Sequence, residues 1–124
     1  MTLYPQVRYH DVRAAIDWLA EAYGFTKLEA HADADGMIGH AELGGFGGIV
    51  MLGAEPGGGD PLFGVHAGQG WLYLSTDDVD ALHERAVAAG AQIVRELEDT
   101  DYGSREFSSR DPEGNIWSFG TYAP

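Results

Sequence analysis

Cysteine is absent from the 124 residues. Disulfide staples, thiolate metal centres, iron–sulfur clusters and cysteine nucleophiles are thereby excluded. Basic residues are scarce: seven Lys and Arg stand against twenty Asp and Glu, a formal net charge of −13. They are scattered rather than clustered, so a polyanion meets repulsion and nucleic acid is not an expected partner. No long apolar run and no signal-like N-terminus are present, so no membrane partner is expected and the expected location is cytoplasmic.

What is present suffices for one ordinary domain: 44% of the chain is apolar, enough to bury one core. The eighteen glycines follow no collagen-like period and read as turn and hairpin residues. The acidic balance has two readings, plain solubility or a bias toward neutral and cationic small molecules.

A repeat organises the chain. The stretch DPEGNIWSFG (111–120) joins a Pro-x-Gly-Asn turn to a strand, and GGFGGIVMLG (44–53) lies sixty-seven residues upstream. At that offset Gly47 aligns with Gly114, Ile49 with Ile116 and Gly53 with Gly120. Asp11-Val12 aligns with Asp78-Val79, Tyr4 with Trp71 and Val7 with Leu74, all without a gap. Such an offset marks two copies of one supersecondary unit.

Each copy reads as βαβββ. Residues 2–9 and 70–76 are the opening strands. Helices follow, with Val12, Ala15, Ile16, Leu19, Ala20 and Tyr23 at helical spacing in the first and Val79, Leu82, Ala86 and Val87 in the second. Asp11 caps the first and Gly24 stops it; Asp77 or Asp78 caps the second and Gly90 ends it. Strands near 26–33, 37–43 and 48–54 complete the first copy, and strands near 91–97, 104–110 and 115–122 the second. The expectation is one domain over 1–124: module 1 over 1–54, a connecting loop over 55–69 and module 2 over 70–124. The fold class is α+β, with paired βαβββ modules forming a curved, trough-shaped eight-stranded mixed sheet.

The period of two along a strand assigns side chains to the trough. Tyr4, Gln6 and Arg8 share one face, as do Trp71 and Tyr73 in the counterpart strand. In the closing strands Val50, Leu52, Trp117 and Phe119 go under the helices, which leaves Met51 and Ser118 on the other side. The expected ligand-binding set is Tyr4, Gln6, Arg8, Met51, Trp71, Tyr73 and Ser118. Aromatic walls with a few orienting polar groups suit a partly aromatic, neutral or cationic small molecule. The competing reading is that these side chains fill the space themselves or form a dimer contact.

The doubled unit, with DVRAAIDWLAEAYGF after an opening strand and SREFSSRDPEGNIWSFGTY near the end, resembles the vicinal oxygen chelate superfamily of glyoxalases, bleomycin-resistance proteins and extradiol dioxygenases. The texture of GHAELGGFGGIVMLG looks like its small bacterial glyoxalase-like branch. The resemblance implies that metal-dependent members carry four ligands in the trough, one on each opening and each closing strand. Here those positions fall on Tyr4, Met51, Trp71 and Ser118, none of them His, Asp or Glu. Divalent ions for oxygen chelation take imidazole and carboxylate ligands. No metal, cofactor or catalytic residue is therefore expected. The expected function is metal-independent binding of a partly aromatic ligand, with drug or toxin resistance by sequestration as one role, in a homodimer whose troughs are built either by both modules of one chain or by one module from each of two chains. The alternative is a glyoxalase-like lyase, isomerase or dioxygenase using a displaced metal or an acid–base residue.

Other motifs offer less. His10 and His83 read as surface residues. His31 and His40, on neighbouring strands with Glu29 and Glu42, are candidates for a displaced metal site. His66, in the connecting loop, is a candidate general base if that loop closes over the trough. GGFGG (44–48) leads into a strand and reads as a hairpin rather than a phosphate loop. Asp99, Asp101 and Tyr102 form an acidic loop, at the rim of the trough or simply solvated.

Overall fold

The computed structural model describes residues 1–55 and 64–124, so residues 56–63 of the expected connecting loop lie outside the described residues. The order of elements is β1 (Gln6–Tyr9), α1 (Val12–Tyr23), β2 (Thr26–Ala32), β3 (Ile38–Gly45), β4 (Gly48–Ala54), β5 (Trp71–Ser75), α2 (Val79–Ala88), β6 (Gln92–Asp99), β7 (Arg105–Arg110) and β8 (Ile116–Gly120). This is βαβββ twice. Both sheets have the same topology, β1-β4-β3-β2 and β5-β8-β7-β6. The opening strand pairs parallel with the closing strand, Gln6 opposite Met51 in one sheet and Tyr73 opposite Ser118 in the other. These two register pairs are related by the same offset as the sequence repeat.

Local chemistry sets the element ends. Asp11 accepts a hydrogen bond from the Ala14 amide at 3.0 Å, and Gly24 ends α1 in the left-handed conformation. In α1 the buried stripe is Val12, Ala15, Ile16, Leu19, Ala22 and Tyr23, with Ala22 in place of the expected Ala20. In α2 Val79, Leu82 and Ala86 are buried while Val87 is exposed. Phe46 and Gly47, both at positive φ, form the two-residue turn between β3 and β4. Strand β1 is shorter than expected and leaves Tyr4 outside it. Pro5 has no N–H for a ladder, although its carbonyl accepts from the Met51 amide at 2.9 Å.

The α+β class of paired βαβββ modules is as expected. The strands form two separate four-stranded sheets rather than one of eight, and among the described residues no ladder joins one to the other. Their helix-covered faces meet in one core. Tyr23 of α1 packs on Trp117 and Phe119 of the second sheet, with ring centroids 5.6 and 4.8 Å apart, and Phe25 packs on Trp117 at 5.6 Å. The Tyr23 hydroxyl and Ser109 Oγ are 2.6 Å apart.

The Asp111–Asn115 turn stitches the modules together. Asp111 Oδ2 accepts from the Tyr9 hydroxyl at 2.5 Å and from Trp117 Nε1 at 3.0 Å. Asn115 Oδ1 accepts from the Gly70 amide at 2.7 Å, and Glu113 accepts from the amides of His10 and Asp11 at 2.6 and 2.9 Å. A buried polar network of this kind is stable only when its members are satisfied, which these are. Among the described residues, no helix is long and apolar enough to cross a membrane.

Candidate functional site

The helices pack on one face of each sheet, and the other face carries no helix. The expected site residues divide between them. Gln6, Arg8 and Met51 lie on the module-1 face, with Tyr4 at its edge; Trp71, Tyr73 and Ser118 lie on the module-2 face. Within one chain the structure therefore brings these seven residues together as two groups, not one.

The module-2 face is the more aromatic. Trp71 is 76% exposed and Tyr73 42%. Ser118 is covered: its Oγ accepts from Trp71 Nε1 at 3.0 Å and lies 2.7 Å from Ser108 Oγ. It is thus the hydroxyl that fixes the Trp71 ring. Beside them is a cup of about 390 Å³, lined by Trp71, Tyr73, Arg95, Tyr102, Glu106, Ser118, Tyr122 and Pro124. Glu106, only 4% exposed, forms its charged floor. Its Oε1 accepts from Arg95 Nη2 at 2.5 Å and from the Tyr102 hydroxyl at 2.7 Å. Burial pushes this carboxyl upward, but the hydrogen bonds from Tyr102 and Arg95 outweigh it and hold the group below the ordinary range. The Tyr73 hydroxyl donates to the Tyr122 carbonyl at 2.6 Å, which ties the C-terminal segment to the cup wall.

The reading of opening and closing strands missed Glu106, Arg95 and Tyr122, and left Tyr102 on an acidic loop. The signal for Glu106 lay in β7: Phe107 and Ser109 alternate into the core, so Glu106 and Ser108 must face the other way. Tyr102 belongs to no strand, and no periodicity identifies its contact.

The module-1 face is more polar. His31 stands opposite His40, and Glu29 opposite Glu42. The two imidazoles stack with centroids 6.1 Å apart, and His40 Nε2 lies 3.0 Å from Glu42 Oε2. Among the described residues, no three His, Asp or Glu side chains converge as a metal site. Nor do Tyr4, Met51, Trp71 and Ser118 fit a divalent ion, since an indole cannot ligate and a thioether prefers softer metals. His66 is tied elsewhere: its Nδ1 lies 2.6 Å from Glu55 Oε1 and its amide donates to Gln69 at 2.8 Å. His10 Nδ1 lies 3.1 Å from the other oxygen of Glu55.

Paired βαβββ modules, each with a four-stranded sheet covered by a helix on one face, define a class of small α+β proteins. The Glyoxalase/Bleomycin resistance protein/Dioxygenase superfamily model matches residues 3–119, and the chain belongs to that superfamily. An uncharacterised protein of Mycobacterium bovis is 34% identical over 123 residues, 95% of this chain and 81% of that one. Among solved structures, TioX from Micromonospora sp. ML1 is 35% identical with a TM-score of 0.82, covering 99% of each chain. TnmS3, an antibiotic binding protein from Streptomyces sp. CB03234, shares the fold at 24% identity, with a TM-score of 0.74 and coverage of 96% of this chain and 93% of that one.

Proposed function

We propose that this protein binds a partly aromatic small molecule without metal, in troughs assembled by a homodimer, and that sequestration of a drug or toxin is its role. The observation that carries the reading is the pair of sheet faces that no helix covers. Each is half a trough, and together they carry all seven expected site residues. A face with Trp71 and Tyr73 this exposed needs a partner. Strands β1 and β5 are edge strands, each with a single neighbour in its sheet. Leu3 and Tyr4 expose apolar surface along the first of those edges. Docking the module-1 edge of one copy beside the module-2 edge of the other covers both and closes two equivalent troughs by a two-fold axis. Tyr4, Trp71 and Tyr73 then stack on the ligand, while Gln6 and Arg8 orient it. Ser118 acts through the Trp71 ring it holds.

The test is a titration of the intact dimer with 2-methylquinoline, a neutral planar probe, read by tryptophan fluorescence. Saturable quenching is expected, and Trp71→Ala should abolish it while leaving the unfolding midpoint unchanged. Quenching that survives in Trp71→Ala would place any binding elsewhere and overturn the reading.

A further inference from the structure

We infer that the module-2 cup receives a cationic group of the ligand, an ammonium or guanidinium, with Glu106 as its counter-charge. This rests on the reading of the open faces as a ligand trough. Four aromatic side chains, Trp71, Tyr73, Tyr102 and Tyr122, ring the cup. Tyr102 and Tyr122 meet edge to face with centroids 6.2 Å apart. Aromatic faces carry negative potential and attract cations, most strongly where water is displaced. The floor beneath them is a buried carboxylate. An anionic ligand would meet that charge and the excess of −13 over the whole chain.

Two further observations point the same way. The close approach of Glu106 and Tyr73 at the floor requires glycine at 120, because a Cβ there would meet Glu106 Cγ and the Tyr73 hydroxyl at 2.6 Å. The floor is thus kept free of an intervening side chain. The chain also supplies its own cation in the same place. Arg95 sits on the outer strand β6 between two register breaks, and its side chain is 42% exposed while it reaches Glu106. It demonstrates that a guanidinium fits against this carboxylate. That exposure gives its side chain a route into solvent when another cation takes its place. Arg95 holds the position in the free protein and yields it to the ligand's cation.

The experiment compares 1-methylquinolinium with 2-methylquinoline, which have nearly the same shape and differ in charge, on the intact dimer at pH 8. The cation is expected to bind about tenfold more tightly than the neutral probe. Glu106→Gln should bring the two affinities together, and Arg95→Gln should tighten the cation alone. Because the readout is a ratio within each variant, a modest loss of stability in Glu106→Gln does not mimic the result. Tyr102→Phe, which keeps the ring and frees one bond to Glu106, should preserve the preference. Equal affinities in the wild type, a ratio unchanged in Glu106→Gln, or weaker cation binding in Arg95→Gln would each overturn the inference while the trough reading stands. Binding of neither probe would overturn both.

Discussion

Trp71 and Trp117 stand on neighbouring strands of one sheet, and the pleat sends them in opposite directions. Trp117 is fully buried among Tyr23 and Phe25, with its indole N–H on Asp111. Trp71 stands in solvent. Trp117→Ala is expected to destabilise the fold by about 3–5 kcal/mol, read by urea denaturation, whereas Trp71→Ala should change it by less than about 0.5 kcal/mol. Similar losses in both would show that Trp71 is packing rather than a ligand contact. Tyr9 is the second decisive residue. Burial, then the charge of Asp111, pushes its hydroxyl well above its ordinary range, so it stays a donor to that carboxylate. Tyr9→Phe removes one bond to a buried charge and should cost about 1.5–3 kcal/mol in the same assay.

Two carboxylates, one at the exit of β4 and one on β7, contribute to the acid response. Glu55, at the exit of β4, is held low first by its hydrogen bond from His66, against burial, and then by the charge of His10. Glu106, on β7, is also held below the usual 4.5. A depressed pKa in the folded state means stability that is present above the unfolded value and lost as pH falls through the folded one. Stability should therefore decline as pH drops below about 4.5, and Glu106→Gln should flatten part of that decline in pH-dependent thermal unfolding. A profile identical to wild type would contradict the bonding described for Glu106.

The elements also show what could be read in advance. Helix α1, the β3–β4 hairpin and the faces of β4 and β8 followed from caps, turn glycines and alternation, because each is set by neighbours in sequence. Strand β7 marks its face only through Phe107, because serines occupy both sides of it: Ser109 is buried toward the core and Ser108 toward Ser118. Tyr102 reaches Glu106 from a turn, where no period applies.

At the scale of the molecule, the repeat was legible and the packing of its halves was not. Two βαβββ units obey the same local rules whether their sheets join edge to edge in one chain or turn their helices toward each other. Contacts between residues far apart in sequence, Tyr9 with Asp111 and Tyr23 with Ser109, decide for the second arrangement. That arrangement puts Met51 and Trp71 on different sheets, and the dimer is the unit proposed above to hold a complete trough.

The most direct test of that claim mixes two variants that each bind no probe. Trp71→Ala spoils the module-2 face and Met51→Arg the module-1 face. The two are unfolded together, refolded as a one-to-one mixture and titrated with 1-methylquinolinium. If each trough takes one face from each copy, random pairing restores about a quarter of the wild-type sites, because half the dimers are mixed and each holds one intact trough. If the mixture binds no more than the separate variants, the trough is not shared between copies and the account fails.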